Sequence, residues 1–469
     1  MESVKRYSRR RALKIGVGML GLGGLAACAP AAAPQVVEKE VTVIVEGTPQ
    51  IVKETVVVQA PAAPVDVHWS YYVFYGDPEK THSEFQAIAD EVKALHPDTN
   101  VVLVPIVMEG MWEKLLTEFA AGGGPDVTVA WTTHIAPGAV RGMWVDLKPY
   151  MERDSFPDSP YWFPLDIEYG WQGGIYAVSM FQAVQAMYIN KTLLAEAGLD
   201  FPDPEWTLDD FVEYCIALTD KEKGQWGTLN LEWIPWFLMG WIHAFGGSIL
   251  NETYDKCALT SPEATAAVQW VHDLMFKYEA CATPSALQGV DDPFIAGKAG
   301  TYVNGTYRTE AVREASVTNG FEWDFAHQPV HPETGIRSVY MGSSGWAILG
   351  NSPVREQAWN LVKYLGSVPG QRHVLKWGIP NHVELAESVE FLDMWKPQDV
   401  LVPISDAKCC AHDSYVTPDS NEWYNAAWNE MSAIWAGEAT VEEGLANTCA
   451  ALDEIFARRP DYYKAAASS

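Results

Sequence analysis

Twenty tryptophans and twenty tyrosines in 469 residues make aromatic stacking the chemistry this sequence offers most plainly. Indole and phenol rings bury large apolar faces and lie flat against the faces of a bound ligand. Covalent chemistry is harder to find. Gly342-Ser343-Ser344-Gly345 lacks the spacing of a nucleophile elbow, and neither His-Glu-x-x-His nor Cys-x-x-Cys occurs. The eleven histidines are scattered. Gly122-Gly123-Gly124-Pro125 precedes a strand where a phosphate cradle would follow one, and no lysine comes after it. Sixty-one Asp and Glu offer many carboxylate pairs of the kind that hydrolyse glycosides, and only geometry selects among them. No metal or cofactor is expected from these residues, and the carboxylate pairs stay open at this point.

The charge balance narrows the partners. Thirty-two Lys and Arg against 61 acids give a formal charge of −29, which disfavours nucleic acid and anionic membrane surfaces. Hydrophobic residues at 48% and charged ones at 20% are ordinary for a folded chain, and the length allows two or more domains.

The elements that must position the rings follow in order. Val65 to Ser70 alternates as a strand, Phe85, Ile88, Ala89, Val92 and Leu95 form a helical stripe, and Val101 to Val107 reads as a second strand. Trp112, Leu115, Leu116 and Phe119 mark a second helix, and Val127 opens a third strand. This alternation predicts a parallel sheet covered by helices. Further on, Gly173-Gly174 feeds a short strand from Ile175 to Val178. Asn190 caps a helix closed by Gly198, and Thr207 caps another with Asp210 in its first turn. Ser261-Pro262 starts a helix to about Tyr278. The last helices fall near Trp423 to Trp435 and Val441 to Phe456.

The N-terminus carries its own signals. Ser8-Arg9-Arg10-Arg11-Ala12-Leu13-Lys14 resembles a twin-arginine export signal, with the general secretory route left open. Ile15 to Ala27 is apolar but too short to span a bilayer comfortably. Leu25-Ala26-Ala27-Cys28 resembles a lipoprotein box in which Cys28 takes the lipid. Residues 29–64 read as an extended linker whose two Val/Lys/Glu runs have the option of pairing as a small hairpin.

The series Gly-Gly-x-Tyr-Ala-Val at 173–178, Met187-Tyr188-x-Asn190-Lys191, Leu193-x-x-x-Ala197-Gly198-Leu199 and Trp206-Thr207-x-x-x-Phe211 resembles the extracellular solute-binding proteins of ABC importers, in the maltose-binding-like cluster. Gly124-Pro125-Asp126-Val127, the run from Gly142 to Tyr150, and Phe294-Ile295-Ala296-Gly297-Lys298-Ala299 match later landmarks of that family in order. The resemblance implies an α/β fold of two lobes, periplasmic-binding-protein-like and of type II, with the ligand cleft between them. It implies residues 65–180 and 326–380 in the first lobe and 181–325 and 381–469 in the second. By position it assigns Trp131, Trp233, Trp236, Tyr307 and Trp423 as stacking residues, with Gln182 and Glu109 taking hydroxyls. The implied function is capture of a sugar, an oligosaccharide by preference, for an ABC permease, by a monomer lipid-anchored at the outer face of the membrane. A polyamine or peptide ligand, a secreted glycoside-active enzyme and a signalling lipoprotein are the alternatives.

Seven cysteines include Cys28, leaving Cys215, Cys257, Cys281, Cys409, Cys410 and Cys449 for bridges in an exported protein. Cys257 and Cys281 flank a helix about 25 Å long, too far for a bond unless the chain doubles back. One bridge is expected among Cys409, Cys410 and Cys449.

Overall fold

The computed structural model describes residues 35–45, 48–58, 63–72, 78–157, 160–234, 236–412 and 415–459. The signal segment and Cys28 lie outside them, as does Pro235. Two compact units result, residues 1–63 and 64–469. In the first, β1 (Gln35–Val45) and β2 (Thr48–Val58) pair antiparallel along their whole length, from Gln35 with Val58 to Val45 with Thr48. The valine runs of the linker therefore take the hairpin option.

The second unit is built on an eight-stranded sheet. β3 (Val65–Tyr72), β4 (Thr99–Ile106) and β5 (Val127–Trp131) form a parallel set, as the strand–helix alternation predicts. The short β6 (Gly170–Trp171) and β7 (Gly174–Ile175) make a separate ribbon. β8 (Val178–Asn190), β9 (Thr301–Gly305), β10 (Trp323–Ala326), β11 (Val339–Ile348) and β12 (Ala411–His412) complete the sheet in the order β10-β8-β11-β5-β3-β4, with β9 on β8 and β12 on β11.

β8 holds the two lobes together. Its first half runs antiparallel to β11, and its second half carries β9 and β10. The first half of β8 feeds one core, and period-two alternation in its second half separates two others. Val178, Met180 and Phe181 enter the first-lobe core with Trp69, Phe85 and Trp346. Met187 and Ile189 face a second-lobe core with Trp241, Trp423 and Phe456, while Ala186 and Tyr188 face another with Trp323 and Trp395. The strand expected from Ile175 to Val178 is split: Ile175 ends β7, and a separate long strand, β8, starts at Val178, with its buried polar residues partly bonded inside the protein. Gln182 donates through Nε2 to Glu168 Oε2 at 2.8 Å, and Gln185 Oε1 accepts from the Tyr340 amide at 2.9 Å.

β11 makes the return crossing. Ala326, Val339, Tyr340 and Met341 pack with the second-lobe cores and Trp346 to Leu349 with the first.

Local signals act as the residue types dictate. The Asn190 side chain accepts from the Leu193 amide at 3.0 Å, Gly198 closes that helix at φ 69°, and Thr207 and Asp210 form a reciprocal cap. Cys257 bonds to Cys449, tying the loop before helix Pro262–Phe276 to helix Val441–Ala457, and Cys257 N donates to Asp453 Oδ1 at 2.8 Å. A link across 192 residues contributes about 5 kcal/mol in the chain-entropy limit. Cys409 and Cys410 form the second bridge, while Cys281, the doubted partner of Cys257, is a buried free thiol.

Candidate functional site

A cavity of about 430 Å³ opens between the lobes, within the size range of small-molecule sites. Its first-lobe wall starts where β4 ends. Gly110, at φ 68°, turns the chain into helix Met111–Ala120, and this leaves Met108, Glu109, Trp112 and Glu113 along the cavity. β5 delivers Trp131 at its carboxyl end, and helix Thr132–Ala139 starts on the next residue. Strand ends of open α/β sheets are where such sites form.

His134 organises this wall. Its ring lies between Trp112, centroids 4.3 Å apart and 12° from parallel, and Trp131, at 4.9 Å and 21°. Its Nδ1 accepts the Trp131 amide at 3.4 Å, and its carbonyl accepts from Trp144 Nε1 at 3.0 Å. Burial in this sandwich pushes the imidazole down to about 3, so His134 is neutral. Trp131 is pinned further by Nε1 donating to the Tyr72 hydroxyl at 3.3 Å. One indole face of each tryptophan is thus committed to His134, and both residues line the cavity.

The second-lobe wall has two parts. After Thr228, bridged to Cys281, Asn230 takes a left-handed turn at φ 66° and the chain emerges as Trp233, Ile234 and Trp236 at the rim. Trp236 packs edge-on to Tyr340, centroids 5.3 Å apart, while Trp233 is 38% exposed. The other part is helix Ser420–Trp435, whose Asn421, Tyr424, Asn425 and Trp428 line the cavity at helical spacing. Behind the rim, Glu232 is buried with Oε2 unpartnered, and burial pushes its carboxyl up to about 7.

Of the sequence-assigned site residues, the structure gathers Glu109, Trp131, Trp233 and Trp236 around this one cavity. Trp423 is not among them. It is fully buried in the second-lobe core with Nε1 donating to Thr417 Oγ1 at 2.9 Å, because residues 423, 427, 431 and 434 form the inward stripe of its helix. Gln182 is fully buried in the middle of β8, bonded to Glu168 and Ser179. Tyr307 follows β9 in a 3₁₀ turn and packs on the first-lobe core instead of lining the cavity. Sequence reasoning missed Trp112, Asn421, Asn425 and Trp428. The helical repeat that buries Trp423 would have turned the last three outward.

A second hollow of about 350 Å³ shares Trp112, Glu113, Asn421 and Asn425 with the cavity and adds Arg141, Glu422, Arg458 and Arg459. A third, about 410 Å³, is lined by first-lobe residues alone, among them Val104, Ile106 and Leu115. Among the described residues no cluster of His, Cys, Asp or Glu has the makings of a metal site, and no helix is long and apolar enough to cross a membrane.

Comparison with known proteins gives this geometry a family. Residues 75–372 match the bacterial extracellular solute-binding proteins. The fold is similar to that of an ABC substrate-binding protein from Listeria monocytogenes in complex with cycloalternan, at 20% identity and TM-score 0.75, covering 84% of this chain and 100% of that one. It is also similar to maltose-bound MalE3 of T. maritima, at 21% identity and TM-score 0.71, covering 83% and 99%. A cyclic α-maltosyl-1,6-maltose binding protein from Arthrobacter globiformis is 21% identical with TM-score 0.68, covering 84% and 99%. The match spans well over half the chain, and the protein belongs to the bacterial extracellular solute-binding proteins.

Proposed function

We propose that the protein captures a sugar, an oligosaccharide by preference, between its lobes and hands it to an ABC permease. The observation that carries this reading is the set of five indoles, Trp112, Trp131, Trp233, Trp236 and Trp428, around one inter-lobe cavity with Asn421 and Asn425 among them. Flat apolar platforms interleaved with amide groups suit pyranose rings, which present C–H faces and hydroxyl edges. The sugars named for the similar structures, cycloalternan and maltose among them, agree with it.

If each of three platforms hides about 100 Å² of apolar surface it contributes about 2.5 kcal/mol. The three together give about 7.5 kcal/mol gross, less than the roughly 8 kcal/mol net that a micromolar dissociation constant requires, so hydrogen bonds to the sugar hydroxyls must supply the balance and the cost of association. Closure would be a hinge motion at β8 and β11, selected by a ligand that touches both walls. The first lobe then comprises the β3–β5 side and the second the β9–β10 side of those strands.

Intrinsic tryptophan fluorescence against a panel of mono- and oligosaccharides tests the reading. A saturable shift with a sugar, lost in Trp236→Ala and unaccompanied by product on long incubation, is expected. Turnover of the sugar would instead make the protein an enzyme, and silence across the panel would remove the sugar. We further propose export by the Ser8–Lys14 signal and lipidation at Cys28, which tether the binding unit to the outer face of the membrane. Cys28→Ser should move the protein from the membrane fraction to the medium or periplasm.

A further inference from the structure

The two disulfides of the binding unit cannot serve the same purpose. Cys257 and Cys449 stand 192 residues apart in sequence, so their bond constrains the unfolded chain strongly, whereas Cys409 and Cys410 are neighbours. Joining neighbours closes no loop, and the bond adds almost nothing to stability by that route. Access separates the two as well. Cys257 and Cys449 are buried, the free thiols Cys215 and Cys281 are fully buried, and Cys409 is the exposed cysteine among the described residues. We propose that Cys409–Cys410 is a site of reversible thiol–disulfide exchange, and that its state sets how firmly the second wall of the cleft is held.

The argument lies in where the bond sits. Helix Leu401–Cys410 ends on it, and β12 begins on the next residue, pairing in parallel with Val339 and Tyr340 of β11. From these two rungs the cavity is reached by two routes. Tyr340 packs edge-on to Trp236, and the His412 ring stacks on His243, centroids 3.9 Å apart and 12° from parallel. His243 belongs to helix Phe237–Ala244, which starts directly after Trp236. The helix before the bond is held independently: Asp406 accepts from the Gln328 amide at 2.8 Å and lies 2.6 Å from His327 Nδ1. The disulfide therefore governs the turn by which the chain leaves a fixed helix and enters a strand of two residues. So short a strand has few bonds of its own, and it depends on the restraint of its approach.

The exchange balances with a thiol reductant. Its thiolate attacks the exposed Cys409 sulfur, the S–S bond breaks, and Cys410 leaves as a thiolate that takes a proton. A second thiol of the reductant then attacks the mixed disulfide, which yields the Cys409 thiol and the oxidised reductant. Opening the ring returns backbone freedom to residues 409 and 410, and β12 loosens with them. Trp236 loses the support that β12 gives through Tyr340 and His243. Reoxidation restores it. This holds whatever the cavity binds.

The test treats the full protein with dithiothreitol, labels it with N-ethylmaleimide and follows amide hydrogen exchange. Maleimide should appear on Cys409 and Cys410 while Cys257–Cys449 stays closed. Amides of Ala411, His412 and Trp236 to Leu238 should then exchange at least about tenfold faster, with residues 401–407 unchanged, and oxidised glutathione should restore the slow rates. The double variant Cys409→Ser/Cys410→Ser should show the fast pattern without reductant and ignore dithiothreitol. Labelling of both cysteines with exchange unmoved, a double variant that keeps the slow rates, or a Cys409–Cys410 bond that survives the reductant would each overturn the proposal.

Discussion

The two walls of the cleft are made differently. The first is pre-stacked: Trp112, His134 and Trp131 form one column, locked to a strand end, a helix start and Tyr72. The second is open: Trp233 and Trp428 are 38% and 37% exposed, on a loop and a helix surface respectively. A wall that is already ordered loses little side-chain entropy when a ligand arrives, whereas an open one must be ordered by it. On the proposed function the first wall would fix where the ligand lies, and the second would respond to it on closure. Substitutions in the first wall should damage stability and binding together, and those on the exposed face of the second should damage binding alone.

The largest effect expected tests whether the second wall has a true inside and outside. Trp423 and Trp428 share helix Ser420–Trp435, yet only Trp423 is buried. Trp423→Ala should cost about 3–5 kcal/mol of unfolding free energy by leaving a cavity in the core. Calorimetry that finds the melting temperature unmoved would put Trp423 outside the core.

Acid should find the first wall. His134 has a folded-state value near 3 against an ordinary value of 6.5, so the unfolded chain binds the proton first. Unfolding free energy then falls as pH drops from about 6.5 toward 3, by up to about 4 kcal/mol. His243, lowered to about 3 by burial and by His412 beside it, contributes the same sign. Denaturation of His134→Leu at pH 5 and pH 7 separates the two, because that variant should lose part of the acid slope while His243 keeps the rest.

Behind the second wall the sign reverses. Glu232 holds its proton up to about pH 7, so folding is penalised progressively as pH rises from about 4.5 to 7. Glu232→Gln should stabilise the protein at pH 8 by at most about 3 kcal/mol and change little at pH 4. Equal effects at both values would mean that the carboxyl is not held protonated by the fold.

Much of this was legible in the residues, for physical reasons that also mark where legibility stops. Caps and stripes are local, so Asn190, Thr207–Asp210 and Ser261 mark helix starts that the structure keeps. The continuity of β8 was not local. The strand expected from the sequence stops at Val178, and distant partners, Glu168, Gln371 and Tyr340, hold Ser179, Gln182 and Gln185 in the strand interior. For the same reason Gln182 looked like a ligand contact. Trp131 and Trp236 were assigned by their places in the family resemblance, and the structure sets both on the cavity, one at a strand end and one at the end of a loop. The sandwich on His134 was hidden, since Trp112 belongs to a helix whose apolar stripe looked like plain core.

The smallest effect separates the walls most cleanly. Trp428 lies one turn beyond Tyr424 and Asn425 on the cleft face and contributes little to the core, so Trp428→Ala should leave the melting temperature within about a degree of the parent. Its loss removes one stacking face from an interface assembled only on closure, so affinity should fall about tenfold. Because the wall orders around the ligand, the loss should appear in the dissociation rate, with association nearly unchanged. Trp131→Ala, measured beside it, should lower both melting temperature and affinity, because the same ring holds His134 and lines the cavity. Two variants with equal affinity loss and equal stability loss would mean that the walls are alike, and that closure is not what makes the second one.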